Sequence, residues 1–151
     1  MQRLTKLLLL SLLLCSLACA SGPSPVVSPG VMSEASPVAD VDNDKIGRAF
    51  ARRTSYIQVE GEGTVIRLLA DDLEGPRHQR FIVRLPSGQT LLVAHNIDVA
   101  PRIDGLAVGD TVRFSGEYVW NDNGGLIHWT HHDPQHKHVD GWVRHNGRTY
   151  K

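Results

Sequence analysis

From Tyr56 onward the chain alternates apolar and polar residues with a period of two, the spacing of half-buried strands. "YIQVEGEGTVIRLLA" reads as one long strand, in which Gly61 and Gly63 mark a bulge or strong coil. "RHQRFIVRL-PSG-QTLLVAH" is a hairpin, two alternating runs around a Pro-Ser-Gly turn. "NIDVAPRIDGLAVGD" is irregular or briefly helical, with Pro101 fixing a bend. "TVRFSGEYVW-NDNG-GLIHWTHH" is a second hairpin, and "GWVRHNGRTY" is a small last one around Asn146-Gly147. Three strands, a connection and two strands is the order of an OB-fold, and "LAVGDTVRFSGEY" has the form of a segment entering its fourth strand. The predicted fold is therefore mainly β: a small OB-fold-like five-stranded barrel over residues 55–151, with a short N-terminal helix and a C-terminal hairpin.

Alternation also sorts the faces. In the first hairpin Phe81, Val83, Leu85, Leu91 and Val93 face the core, and Gln79 and His95 continue that row at its open end. His78, Arg80, Arg84 and Thr90 face outward beside Ile82 and Leu92. In the second hairpin Val112, Phe114, Tyr118 and Trp120 share the inner face with Ile127, Trp129 and His131. Arg113, Ser115, Glu117 and Val119 share the outer face with Leu126, His128, Thr130 and His132. A turn centred on Asp122-Asn123 pairs Tyr118 with Ile127, Glu117 with His128, Ser115 with Thr130, Phe114 with His131 and Arg113 with His132. A turn on Asn123-Gly124 shifts partners by two and keeps the faces.

The first 41 residues follow different rules. Arg3 and Lys6 precede an apolar run from Leu7 to Ala18, the form of a signal peptide and too short for the roughly 20 residues of a membrane span. Residues 1–19 are read as this signal. Ala18-Cys19-Ala20 suits ordinary signal peptidase, whereas Ser16-Leu17-Ala18-Cys19 resembles a lipobox that would lipidate Cys19. The Ser/Pro-rich stretch 20–41 favours the lipid, because it reads as a disordered tether. Residues 42–54 form a short amphipathic helix capped by Asp42 or Asn43, with Ile46, Ala49, Phe50 and Arg53 at helical spacing. Localisation is thus exported: periplasmic, or anchored to a bacterial membrane by lipid.

Both cysteines, Cys15 and Cys19, lie in the signal, so no disulfide-linked partner is expected and any metal site must use His and carboxylate. The whole chain is neutral, with 16 basic and 16 acidic residues. Without Arg3, Lys6, Glu34, Asp40, Asp42 and Asp44 it has 14 basic against 12 acidic, which is weak support for nucleic acid as a partner.

The leading reading is a binding module, not an enzyme, that takes a polar or anionic ligand through Arg80, Arg84, Arg113, Glu117, His128 and His132. An enzymatic alternative makes Glu117 orient His128 as general base; as a metal-dependent hydrolase or nuclease it would add Asp71, Asp72 and Arg80. A third reading takes His128, His132, His136 and His138 as ligands for Zn, Cu or another divalent cation. Against it, alternation splits "HWTHH" between two faces, and imidazoles four residues apart on a strand are about 13 Å apart.

Long strings in the domain, "DDLEGPRHQRFIVRL", "TLLVAHNIDVAPRI", "GDTVRFSGEY", "GGLIHWTHHDP" and "GWVRHNGRTYK", resemble a bacterial family known as domain of unknown function 3465. The resemblance implies a small exported protein and an OB-like barrel. It assigns no activity and no functional residue.

Overall fold

The computed structural model describes residues 42–151; the expected signal (1–19), the expected tether (20–41) and Cys19 lie outside the described residues. Helix α1 (Asn43–Ala51) begins where the Asp42 carboxylate accepts from the Lys45 amide at 2.8 Å. It stops short of the predicted 54. Arg53 turns left-handed (φ 53°) and the Thr54 amide donates back to the Ala49 carbonyl, so Arg53 leaves the helical face and lies over the Trp120 ring at 5.0 Å.

Seven strands follow: β1 (Ile57–Leu68), β2 (His78–Arg84), β3 (Thr90–Asn96), β4 (Thr111–Val119), β5 (Leu126–His128), β6 (Trp142–His145) and β7 (Arg148–Tyr150). The first five close a barrel in the order β1-β2-β3-β5-β4, with β1 pairing again to β4 and β3 parallel to β5. Closure explains the length of β1, which gives Ile57–Thr64 to β4 and Thr64–Leu68 to β2. The first hairpin has the expected faces: Phe81 pairs with Val93, Val83 with Leu91 and Gln79 with His95, all buried. The connection from β3 to β4 contains no helix.

The expected bulge at Gly61 and Gly63 is absent. Both pair in register, with Phe114 and Val112, and the irregularity falls between Val65 and Arg67. Gly61 serves close approach instead: a Cβ there would lie 2.4 Å from Phe114 Cζ and 2.9 Å from Ile46 Cδ1. The missing side chain lets Ile46 of α1 pack into the barrel, where it is fully buried. Val59, Val65, Phe81, Val83, Val93, Phe114, Tyr118, Ile127 and Val143 are among the other core residues. Each such burial contributes about 1.5–3 kcal/mol.

The second hairpin agrees with expectation only near its turn. Tyr118 pairs with Ile127 and Glu117 with His128, but there β5 ends, because Trp129 adopts a left-handed backbone (φ 52°). The chain returns to the same edge of β4 as β6, which pairs Ser115 with Trp142, Phe114 with Val143 and Arg113 with Arg144. The partners expected from Thr130, His131 and His132 are therefore replaced. β5 and β6 are two halves of one wall strand, and residues 129–141 are looped out between them. β7 is joined through Asn146 and Gly147, both at positive φ as a type I′ turn requires.

Candidate functional site

Outward alternation places Arg80, Arg84, Arg113, Glu117 and His128 on the barrel wall as expected, yet it does not gather them. Arg80 donates from Nε to the Ala70 carbonyl (3.1 Å) and lies 4.0 Å from Asp72. Arg84 borders a shallow hollow with Glu62, Thr64 and Pro86. Arg113 Nε lies 3.8 Å from a Glu62 carboxylate oxygen. Glu117 borders a different hollow, with Tyr56, Gln58 and Val139, and its Oε1 is 3.0 Å from His128 Nε2. The hydrolase set is equally dispersed. Asp71 pairs with Arg102 and Asp72 bridges to His78, both on the β1–β2 connection, while Glu117 and His128 sit on β4 and β5.

The histidines are similarly committed. His132 Nδ1 meets Asp140 at 2.6 Å, His138 Nδ1 donates to the Val139 carbonyl at 2.9 Å, and His136 is exposed. Among the described residues, no three His, Cys, Asp or Glu side chains are arranged to hold a metal ion. The proposed ligands fall apart because the strand carrying His128 ends before His132.

Two other places have the geometry of sites. The larger is a concavity of about 710 Å³ on the outer wall of β2 and β3, bounded by the β4–β5 turn. Ile82 and Leu92, the outward apolar residues of the first hairpin, form its wall with Leu69 and Phe50, and Gln89, Thr90 and Asn121–Asn123 supply its polar rim. Close contact with β3 holds the turn. Gln89 Nε2 donates to the Gly124 carbonyl (2.7 Å), and Tyr118 donates to the same oxygen (3.1 Å). A Cβ on Gly124 would lie 2.0 Å from the Thr90 carbonyl oxygen, so only glycine lets the turn close on the strand. Asn121 Oδ1 accepts from the Asn123 and Gly125 amides and sets the turn's shape.

The second place is the looped-out segment 129–141, whose ends meet. The Gly141 amide donates to the His131 carbonyl at 2.9 Å. Inside the loop Asp133 accepts from the amides of Gln135, Lys137 and His138, and its own amide donates to Asp140 (2.7 Å). Burial would raise the Asp133 carboxyl, but the amides outweigh it and hold the group at about 2. His128 and His138 both stack on Trp129, at 4.9 and 4.4 Å between ring centres. Beneath the loop His95 is fully buried. Its Nε2–H donates to the Pro101 carbonyl (3.1 Å), so Nδ1 accepts from Thr130 (2.8 Å). Trp129, expected on the inner face, is 38% exposed.

The closed barrel order, with a concavity on the β2–β3 wall against the β4–β5 turn, defines an OB-type protein. The family described as "Protein of unknown function (DUF3465)" matches residues 29–151, and the chain belongs to that family. No curated protein matches it.

Proposed function

We propose that the protein is an exported, non-catalytic binding module whose ligand lies on the β2–β3 wall against the β4–β5 turn. The observation that carries this reading is the 710 Å³ concavity on the surface that OB barrels use for oligonucleotides and oligosaccharides. Its lining combines Phe50, Leu69, Ile82 and Leu92 with amide and hydroxyl groups and one carboxylate, Asp122, and includes no Lys or Arg. That chemistry suits an uncharged polar molecule with an apolar face, such as a neutral oligosaccharide, and disfavours a polyanion. The earlier choice between polar and anionic ligands thus narrows to polar at this surface.

The test is an amide-shift titration of the whole protein with a chito-oligosaccharide, cellohexaose, a sulfated hexasaccharide and a single-stranded oligonucleotide. A neutral sugar should move Thr90, Leu92, Gly124 and Gly125 saturably, and Leu92→Arg should abolish the effect. Absence of saturable shifts on this wall with every probe would overturn the proposal. Export rests on Arg3, Lys6 and the Leu7–Ala18 run, and lipid anchoring on Cys19.

A further inference from the structure

The loop 129–141 also bounds a pocket, of about 560 Å³, that shares no lining residue with the β2–β3 concavity. Trp129, Val99 and Pro134 give it apolar walls, and Lys137 and Lys151 give it two ammonium groups. Asp133 is the one side-chain carboxylate in its lining; it accepts from the loop's own amides and its Oδ2 lies 3.8 Å from His138 Nε2. The side chains lining the pocket therefore carry two ammonium groups against one carboxylate.

His131 supplies an independent sign. It is 6% exposed and lines the same pocket. Its Nδ1–H donates to the His132 carbonyl at 2.8 Å, and Nε2 has no hydrogen-bond partner. An unsatisfied buried polar atom is costly and calls for a reason. A proton on Nε2 adds positive charge beside the pocket, and an anion seated there would stabilise that charge. The groups around His131 are His138 and Trp129 (ring centres 4.8 and 5.8 Å away), Asp133 of the same loop, and His95 of β3, whose burial keeps it neutral.

We infer that this pocket binds a small organic anion, a carboxylate or phosphate carried on an apolar body that packs beside Trp129 and Val99. Its volume falls within the range of small-molecule sites.

Amide and indole shifts of the whole protein, titrated with 3-phenylpropionate, phenyl phosphate and neutral 3-phenylpropanol, test the inference. The two anions should move Asn96, Trp129 and His138 saturably, and the alcohol should bind about tenfold more weakly. Lys137→Met with Lys151→Met should lose at least about fivefold in affinity. Both lysines are exposed, so an unchanged melting temperature would show that the fold is intact. No saturable shift at millimolar anion, equal binding of the alcohol, or unchanged affinity in the double variant would each overturn it. So would tight binding of Zn²⁺ through His131 and His138 that excludes the anions. Shifts confined to Thr90 and Gly124 would belong to the β2–β3 wall and would likewise count against this pocket.

Discussion

Acid should weaken this protein through one residue, His95. Its ring is fully buried, and burial lowers its pKa from 6.5 to about 4, opposed in part by hydrogen bonds to Pro101 and Thr130. In the unfolded chain the same imidazole takes a proton near pH 6.5. Between the two values the unfolded state binds more protons than the folded one, so stability is lost as pH falls through this window and is fully present above it. The interval from 6.5 to about 4 corresponds to about 3 kcal/mol, a large part of the stability of a domain this size. The carboxyl groups with altered pKa, Asp98, Asp110, Asp133 and Asp140, are all lowered from 3.8 and so act below this window. Urea unfolding from about pH 7.5 to about pH 4.5 should therefore show a steep loss in the wild type. His95→Gln can still bond Thr130 and Pro101 but has no proton to gain. The gap between wild type and variant should shift by about 3 kcal/mol, in favour of the variant at low pH. Parallel pH curves for the two proteins would refute the assignment of acid sensitivity to His95.

Other substitutions probe the close approaches and the loop. Gly61→Ala forces a methyl against Phe114 and Ile46 and should cost about 1–3 kcal/mol; an unchanged melting temperature would remove the packing argument. Gly141→Ala would place a Cβ 2.0 Å from the Trp129 carbonyl oxygen and 2.6 Å from that of Ser115, so backbone resonances across 129–141 should move. Gly147→Ala meets nothing within 4 Å and should cost only the roughly 1–2 kcal/mol of a left-handed alanine, leaving the loop's resonances in place. Asp133→Ala frees three amides, and hydrogen exchange at Gln135, Lys137 and His138 should quicken by at least about tenfold; equal rates would show that the carboxylate does not order the loop. Cys19→Ser should abolish incorporation of labelled palmitate in a bacterial host, and equal labelling of the variant would end the anchoring proposal.

What the sequence makes legible is local. Phe81, Val83, Leu91 and Val93 alternate without interruption, so their faces, their register and the burial of Gln79 and His95 follow from a period of two. The pairing of Glu117 with His128 is legible for the same reason, since it lies within three residues of the β5 start. The continuation through Thr130, His131 and His132 fails because alternation carries no information about where a strand stops. Trp129 has a left-handed backbone that its residue type does not announce. One sign was available: extending β5 sets Phe114, on a core face, opposite His131, although Val143 lay downstream in a run that also alternates. An apolar partner for Phe114 requires the chain to leave the wall and return, and Pro134 and Gly141 are residues suited to such a departure.

The candidate sites are less legible than the fold because they depend on contacts between distant segments. Arg80, Arg84, Arg113, Glu117 and His128 share outward orientation, but a barrel's outside points in every direction, so a shared face in the pattern is not a shared concavity in space. The β2–β3 concavity owes its shape to Gly124, where the absence of a Cβ lets the turn lie on Thr90, a contact spanning strands that alternation treats separately. The loop pocket depends on Asp133, which reads as a strand terminator before Pro134 yet collects three amides once the loop closes. That use of Asp133 ties the pocket's one side-chain carboxylate to the loop backbone, beside Lys137 and Lys151. The anion-binding proposal thus rests on lysines and histidines that a strand pattern could not bring together.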